Sequence, residues 1–115
     1  MVISVDATKE ALATAYTGLG RWISLHTGDP GTTGANEATG GSPAYARKQT
    51  TWSVGGVDGI QTGSPVEIDI PAGTYLYAGI WSVVSGGTFV DKVLITPAIA
   101  GAQARIVVTP TYNQS

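Results

Sequence analysis

The sequence predicts an all-β fold: an antiparallel β-sandwich, jelly-roll-like, with one short N-terminal α-helix and a single domain over residues 1–115. Three observations carry this. Turn-forming clusters recur about every ten residues, separating six or seven strand-like runs. Beyond Gly20 the apolar pattern has period two, most clearly where Val66, Ile68 and Ile70 alternate with Glu67 and Asp69. Only one stretch has helical period, so the crossover helices of a parallel sheet are missing.

The helix is expected over about Ala7–Leu19, with Asp6 as the cap that accepts from the free N–H groups of the first turn. Leu12, Ala15, Tyr16 and Leu19 fall at i, i+3, i+4 and i+7 and form one apolar stripe. Gly18 and Gly20 stop it, since glycine takes the left-handed conformation after a helix without Cβ strain. So short a helix is marginal alone and must dock on an edge or end of the sandwich.

The strands follow in order. In Arg21–His26, Ile23 and Leu25 share a face. Gly28–Pro43 has no hydrophobic periodicity but has turn chemistry at Asp29-Pro30-Gly31 and Gly40-Gly41. Loops this long inside a compact domain are often functional. Ala44–Val54 reads as a second strand, with Tyr45 and Arg47 on one face, and Gly55-Gly56 and Asp58-Gly59 as the turns after it. Val66–Ile70 is turned by Pro71-Ala72-Gly73. Thr74–Val84 is aromatic and β-branched, as a strand buried on both faces would be. Ser85-Gly86-Gly87 is a hairpin signal returning through Thr88–Ile95, and Ala104–Thr109 is the last strand, leaving Pro110–Ser115 as an edge or arm. Ile23, Leu25, Trp52, Val66, Ile68, Ile70, Ile80, Trp81, Val93 and Val107 are the expected core. Gly79 beside Trp81 suggests a slot where the missing Cβ admits a ring.

Composition excludes several functions. Charged residues make up 12%, about half the usual share, which suits a surface that spends its life in contact. The six Lys and Arg are scattered, with Arg47-Lys48 the only pair, so the basic patch that phosphate neutralisation requires is absent and nucleic acid is rejected as a partner. Without cysteine there is no disulfide, thiolate site or cysteine nucleophile. No run of 18 apolar residues exists to span a membrane, and MVISVDATKE lacks the regions of a secretory signal.

No catalytic constellation emerges. His26 is the sole histidine, and no G-x-S-x-G elbow accompanies it; a strand-end histidine of this kind is expected to pack and hydrogen-bond. One histidine and no cysteine cannot supply a zinc site. Asp29, Glu37 and Asp58 lie in loops but lack calcium-loop spacing. Glu67 and Asp69 point the same way from one strand face, unlike carboxylates that oppose each other across a cleft. Trp22, Trp52, Trp81, Tyr75 and Tyr77 could build a sugar platform, which keeps a lectin-like module as an alternative from another class; core and interface anchoring is preferred. No cofactor is expected.

Two stretches together resemble a known family: Leu25-His26-Thr27-Gly28-Asp29-Pro30-Gly31 followed by Asn36 to Arg47, then Gly73-Thr74-Tyr75, Ala78-Gly79-Ile80-Trp81 and Ser85-Gly86-Gly87-Thr88-Phe89. This order is similar to small structural proteins of tailed phages, labelled tail-fibre-like or minor tail proteins and common in phages of actinobacteria. The resemblance covers about Trp22 to Phe89 and implies a non-enzymatic virion component, assembled in the host cytoplasm, whose partners are other virion proteins. A minor tail or fibre-base role is expected, with capsid decoration as the alternative, a homotrimer as the favoured assembly and a host glycan as the weaker candidate partner. The expected protein-contact residues are Asp29 and Pro30, which close the first strand, Glu37, which is placed to cap free loop N–H groups, and Tyr45 and Arg47. A Gly- and Thr-rich loop has a large ordering cost, so a neighbouring protein is expected to hold it.

Overall fold

The computed structural model describes residues 6–54 and 60–113, and over these the chain is all-β and antiparallel, with one short helix at its start. Helix α1 spans Asp6–Leu19. Nine strands follow among the described residues: β1 Trp22–His26, β2 Lys48–Gln49, β3 Trp52–Val54, β4 Ile60–Gly63, β5 Val66–Ile70, β6 Gly73–Trp81, β7 Phe89–Ala100, β8 Ala104–Val108 and β9 Thr111–Asn113. They form a main sheet in the order β2-β1-β6-β7, a three-stranded sheet β3-β4-β9 and a ladder β5-β8. The turns at Gly55-Gly56 and Asp58-Gly59, including the candidate loop acid Asp58, lie outside the described residues.

The sandwich is closed by apolar residues at every second position. Ile23 and Leu25 of β1, with Tyr75 and Ala78 of β6, meet Val66, Ile68 and Ile70 of β5, while Ile106 and Val108 of β8 fill the margin. At about 2 kcal/mol for each fully buried aliphatic side chain, this layer is the main drive to fold. Opposite signs face outward on β5 and β8, where Arg105 pairs with Glu67 and Asp69, each at 3.1 Å.

Several elements differ from the sequence expectation. The stretch Ala44–Val54 is not one strand: it breaks between β2 and β3, which belong to different sheets. Buried Thr50 holds the crossing. Its N–H donates to the Arg21 carbonyl at 2.8 Å and its hydroxyl to the Ser64 carbonyl at 2.8 Å. The tail beyond Pro110 does become an edge, as β9 on β4. Val93 and Val107, expected inside, are 58% and 59% exposed. Val107 pairs with Glu67 on the face of β8 turned away from Ile106 and Val108. Val93 lies on the outermost strand of the main sheet, where the sandwich is open along a groove of about 460 Å³ lined by Ile23, Ile80, Val93, Ile95, Val108 and Pro110. Trp52 and Ile80 are half-buried for the same reason.

Helix α1 packs on β4, and of the expected stripe only Tyr16 takes part. Leu12 and Leu19 are exposed, whereas Ala13 is fully buried. The docked line is Glu10, Ala13 and Tyr16. The Gln61 side-chain amide donates to Glu10, the Tyr16 hydroxyl donates to Asp91 at 3.0 Å, and the Tyr16 and Trp52 rings meet edge-on at 6.2 Å. A small residue at the centre of the contact lets helix and strand approach closely. Gly20, just past the helix, is required for close approach rather than for a left-handed turn: a Cβ there would lie 2.7 Å from the Trp81 carbonyl oxygen.

Candidate functional site

Strand β1 alternates Ile23 and Leu25 toward the sandwich with Ser24 and His26 toward the opposite face. That second face is also buried: Ser24 and His26 have no solvent exposure. The residues 27–47 fold back over it as a lid of irregular chain. Gly79 of β6 makes room, since a Cβ there would lie 2.7 Å from the Phe89 ring, 2.7 Å from Ser24 Oγ and 2.9 Å from His26 Nε2. The expected glycine slot is therefore real and filled by a ring and two polar groups. Gly34 of the covering segment has a left-handed φ of 80°, and a Cβ there would overlap the Trp81 ring.

The buried polar groups form one directed chain. Trp81 Nε1–H donates to Ser24 Oγ at 3.0 Å, and Ser24 Oγ lies 2.7 Å from His26 Nε2. His26 Nδ1 lies 2.8 Å from the Ala35 carbonyl oxygen. That carbonyl can only accept, so Nδ1 carries the hydrogen and Nε2 accepts from the serine hydroxyl. Burial holds the His26 pKa below its ordinary value; the Ala35 carbonyl and Glu37 oppose the shift and Arg47 adds to it. The serine–histidine pair has the spacing of a nucleophile and its base, but both groups are sealed from solvent and the imidazole is oriented by a main-chain carbonyl.

A second cluster fastens the covering segment. Arg47 is 7% exposed and makes a two-pronged bond to Glu37, Nε to Oε2 at 2.7 Å and a terminal nitrogen to Oε1 at 2.8 Å. Its other terminal nitrogen donates to the carbonyls of Val83 at 3.0 Å and Gly86 at 2.9 Å. The guanidinium carbon lies over the Trp81 ring, 3.6 Å from its centre. Tyr45 donates its hydroxyl to Glu37 at 2.8 Å and accepts the Leu25 N–H at 3.2 Å. Burial alone would raise the Glu37 pKa, but hydrogen bonds from Arg47 and Tyr45 and the Arg47 charge bring it below the ordinary carboxyl value. Burial, with the adjacent Glu37 carboxylate, drives the Tyr45 phenol well above its usual range.

The five predicted residues thus occupy two places. Glu37, Tyr45 and Arg47 come together as an internal clamp, so Glu37 binds side chains rather than capping loop N–H groups. Tyr45 and Arg47 do face the same way, both reaching Glu37, although residues 45–47 are not strand. Asp29 stands apart and exposed, accepting the Gly31 N–H at 2.8 Å and the Lys92 ammonium at 2.6 Å, and that lysine bond lowers its pKa. Pro30 is buried, and its carbonyl accepts the N–H groups of Gly34 and Ala35 at 3.0 Å each. The segment is held from within, also by Thr27 N–H to the Asn36 carbonyl and Ala38 N–H to the Leu25 carbonyl, both at 2.9 Å.

What stays outside is a weakly charged rim. Thr39–Ala44 and Ala46 are exposed, and the turn joining β6 to β7 brings exposed Val83 and Val84 beside them. Between the two lies a cleft of about 320 Å³ lined by Glu37, Ala38, Tyr45, Ala46, Arg47 and Val84. Sequence reasoning missed Ser24 and the carbonyls of Val83 and Gly86. The Ser24–His26 alternation was the available signal for the first; main-chain acceptors leave none. No group of metal-ligating side chains occurs among the described residues.

No curated protein matches the chain. A family match covers residues 8–98, which takes in most of α1, both strands of the polar face, the covering segment and the Val83–Gly87 turn. With most of its length matched, the chain belongs to the family described as Podophage GP4 fiber I protein gp80.

Proposed function

We propose that this protein is a non-enzymatic structural part of the phage tail, at the fibre or its base, and that it attaches to neighbouring virion proteins through the rim formed by residues 39–46 and Val83–Val84. The observation that carries the reading is the Arg47 clamp. It ties two segments some 40 residues apart into one fixed surface, with its charge neutralised beneath by Glu37. A preorganised, weakly charged rim binds without a large ordering cost. Asp29 contributes at the far end of the same segment, and Pro30, Glu37, Tyr45 and Arg47 act from below by holding its shape. The fibre description of the family favours the tail over capsid decoration. The sealed serine–histidine pair supports a role without catalysis. A homotrimer is the favoured assembly, as closed symmetry is the usual outcome for such components.

The test is incorporation. The double variant Ala44→Asp, Val84→Asp charges the rim and leaves Glu37, Tyr45 and Arg47 themselves unchanged. It should lower incorporation into particles at least about tenfold, by analogy with the loss expected when interface anchors are replaced, while the purified protein keeps its thermal midpoint. Normal incorporation would remove the rim from consideration. Deleting the segment is a poor substitute, because Gly34, Glu37 and Ala38 are built into the fold.

A further inference from the structure

The chain Trp81–Ser24–His26–Ala35 is satisfied in one protonation state only. With Nδ1 donating to Ala35 and Nε2 accepting from Ser24, every polar atom in it has a partner. A second proton, on Nε2, would set a donor against the Ser24 hydroxyl. That hydroxyl would have to turn, and its proton would lose its acceptor in a place with no solvent contact. The ionisable groups facing the ring are Glu37 and Arg47 of the covering segment, Tyr77, which β6 places opposite His26, and Lys92 of β7, which is bound to Asp29.

We propose that His26 is a proton-operated clasp for residues 27–47, closed at neutral pH and released when its imidazole becomes doubly protonated. The geometry decides what moves. The His26 main chain is held by the β1–β6 ladder, whereas its Nδ1 partner, Ala35, belongs to the irregular covering segment. Relief of the charged ring therefore comes from lifting the segment, and with it the face proposed for docking. Because the imidazole pKa lies below its unfolded value of 6.5, the closed form is fully favoured above that pH. It is lost progressively as pH falls below 6.5 and through the folded pKa. His26 is the only histidine, and Glu37 and Asp29 have lowered pKa values, so they stay ionised over the same window.

The experiment uses the full chain, labelled with ¹⁵N, and needs no partner, so its result is independent of the docking proposal. At pH about 7.5 the imidazole nitrogen shifts should report the Nδ1–H tautomer. On lowering the pH to about 5, amide exchange at Gly34, Ala35 and Ala38, corrected for intrinsic rates, should rise at least about tenfold in step with the imidazole titration. The amides of Ile68 and Ile70 should stay protected. The other tautomer, a titration without loop exchange, or core exchange in parallel with the loop would each overturn the clasp. His26→Asn keeps a donor near the Nδ1 position without titrating and should flatten the pH profile of the loop. Retention of the wild-type acid response in that variant would assign the opening to carboxylates. Should the variant fail to fold, the wild-type titration still decides.

Discussion

The two faces of strand β1 are buried to the same degree by opposite means. Ile23 and Leu25 are covered by the aliphatic side chains of β5, a contact with no directional requirement. Ser24 and His26, their immediate neighbours, are covered by a segment without regular strand or helix, and every polar atom there is matched to a partner. An apolar layer loses stability in proportion to the volume removed. A buried polar layer is all or none, because a lost partner strands the group that remains. The first face makes the fold, and the second fixes the shape of a surface.

Mutations can break this contrast in order of size. Ile68→Ala, at the centre of the apolar layer, should cost about 4 kcal/mol in urea unfolding. A cost below about 1 kcal/mol would mean that β5 is not the floor of the core. Arg47→Met should cost about 3 kcal/mol by leaving the Glu37 carboxylate uncompensated. Adding Glu37→Gln should recover part of that loss, and a purely additive double variant would show that the two side chains do not act as a pair. Ser24→Ala removes little volume but strands Trp81 Nε1–H and His26 Nε2, so a loss of about 1–2 kcal/mol is expected, and a neutral result would deny the directed chain. At the bottom of the scale, Arg105→Ala should leave the unfolding midpoint unchanged, since Arg105 is more than half exposed in both of its ion pairs and surface pairs contribute little. A measurable shift would make that exposed network part of the fold's support.

The apolar face was far more legible in the sequence than the polar one. Val66, Ile68 and Ile70 alternate with acids over five residues, and the period alone places them in the core. The hairpin at Ser85-Gly86-Gly87 was equally plain, with both glycines at positive φ. Val93 and Val107 obey the same local pattern, yet their burial depends on which sheet covers them, and that is set by strand order. Helix α1 misled in another way: the large residues Leu12 and Leu19 suggested the docked stripe, whereas close approach selected Ala13. For the covering segment, Glu37, Tyr45 and Arg47 could be picked out as notable residues. Their joint role could not, because the clamp is completed by the carbonyls of Val83 and Gly86, which have no side-chain signature.

The pairing of β1 with β6 has a kinetic consequence. Trp22 is registered against Trp81, Ile23 against Ile80, and further along the chain Gln61 against Tyr112. Nearly every ladder outside the β6–β7 hairpin joins distant parts of the sequence, so the chain gains little from its first turns and must close large loops before contact rewards it. Folding therefore belongs to the millisecond-to-second class of non-local β-proteins. During that interval the long β7 is a bare template for its copies. Pro97, which falls where the register against β6 shifts, withholds one N–H from that strand and so blunts the risk while the covering segment settles.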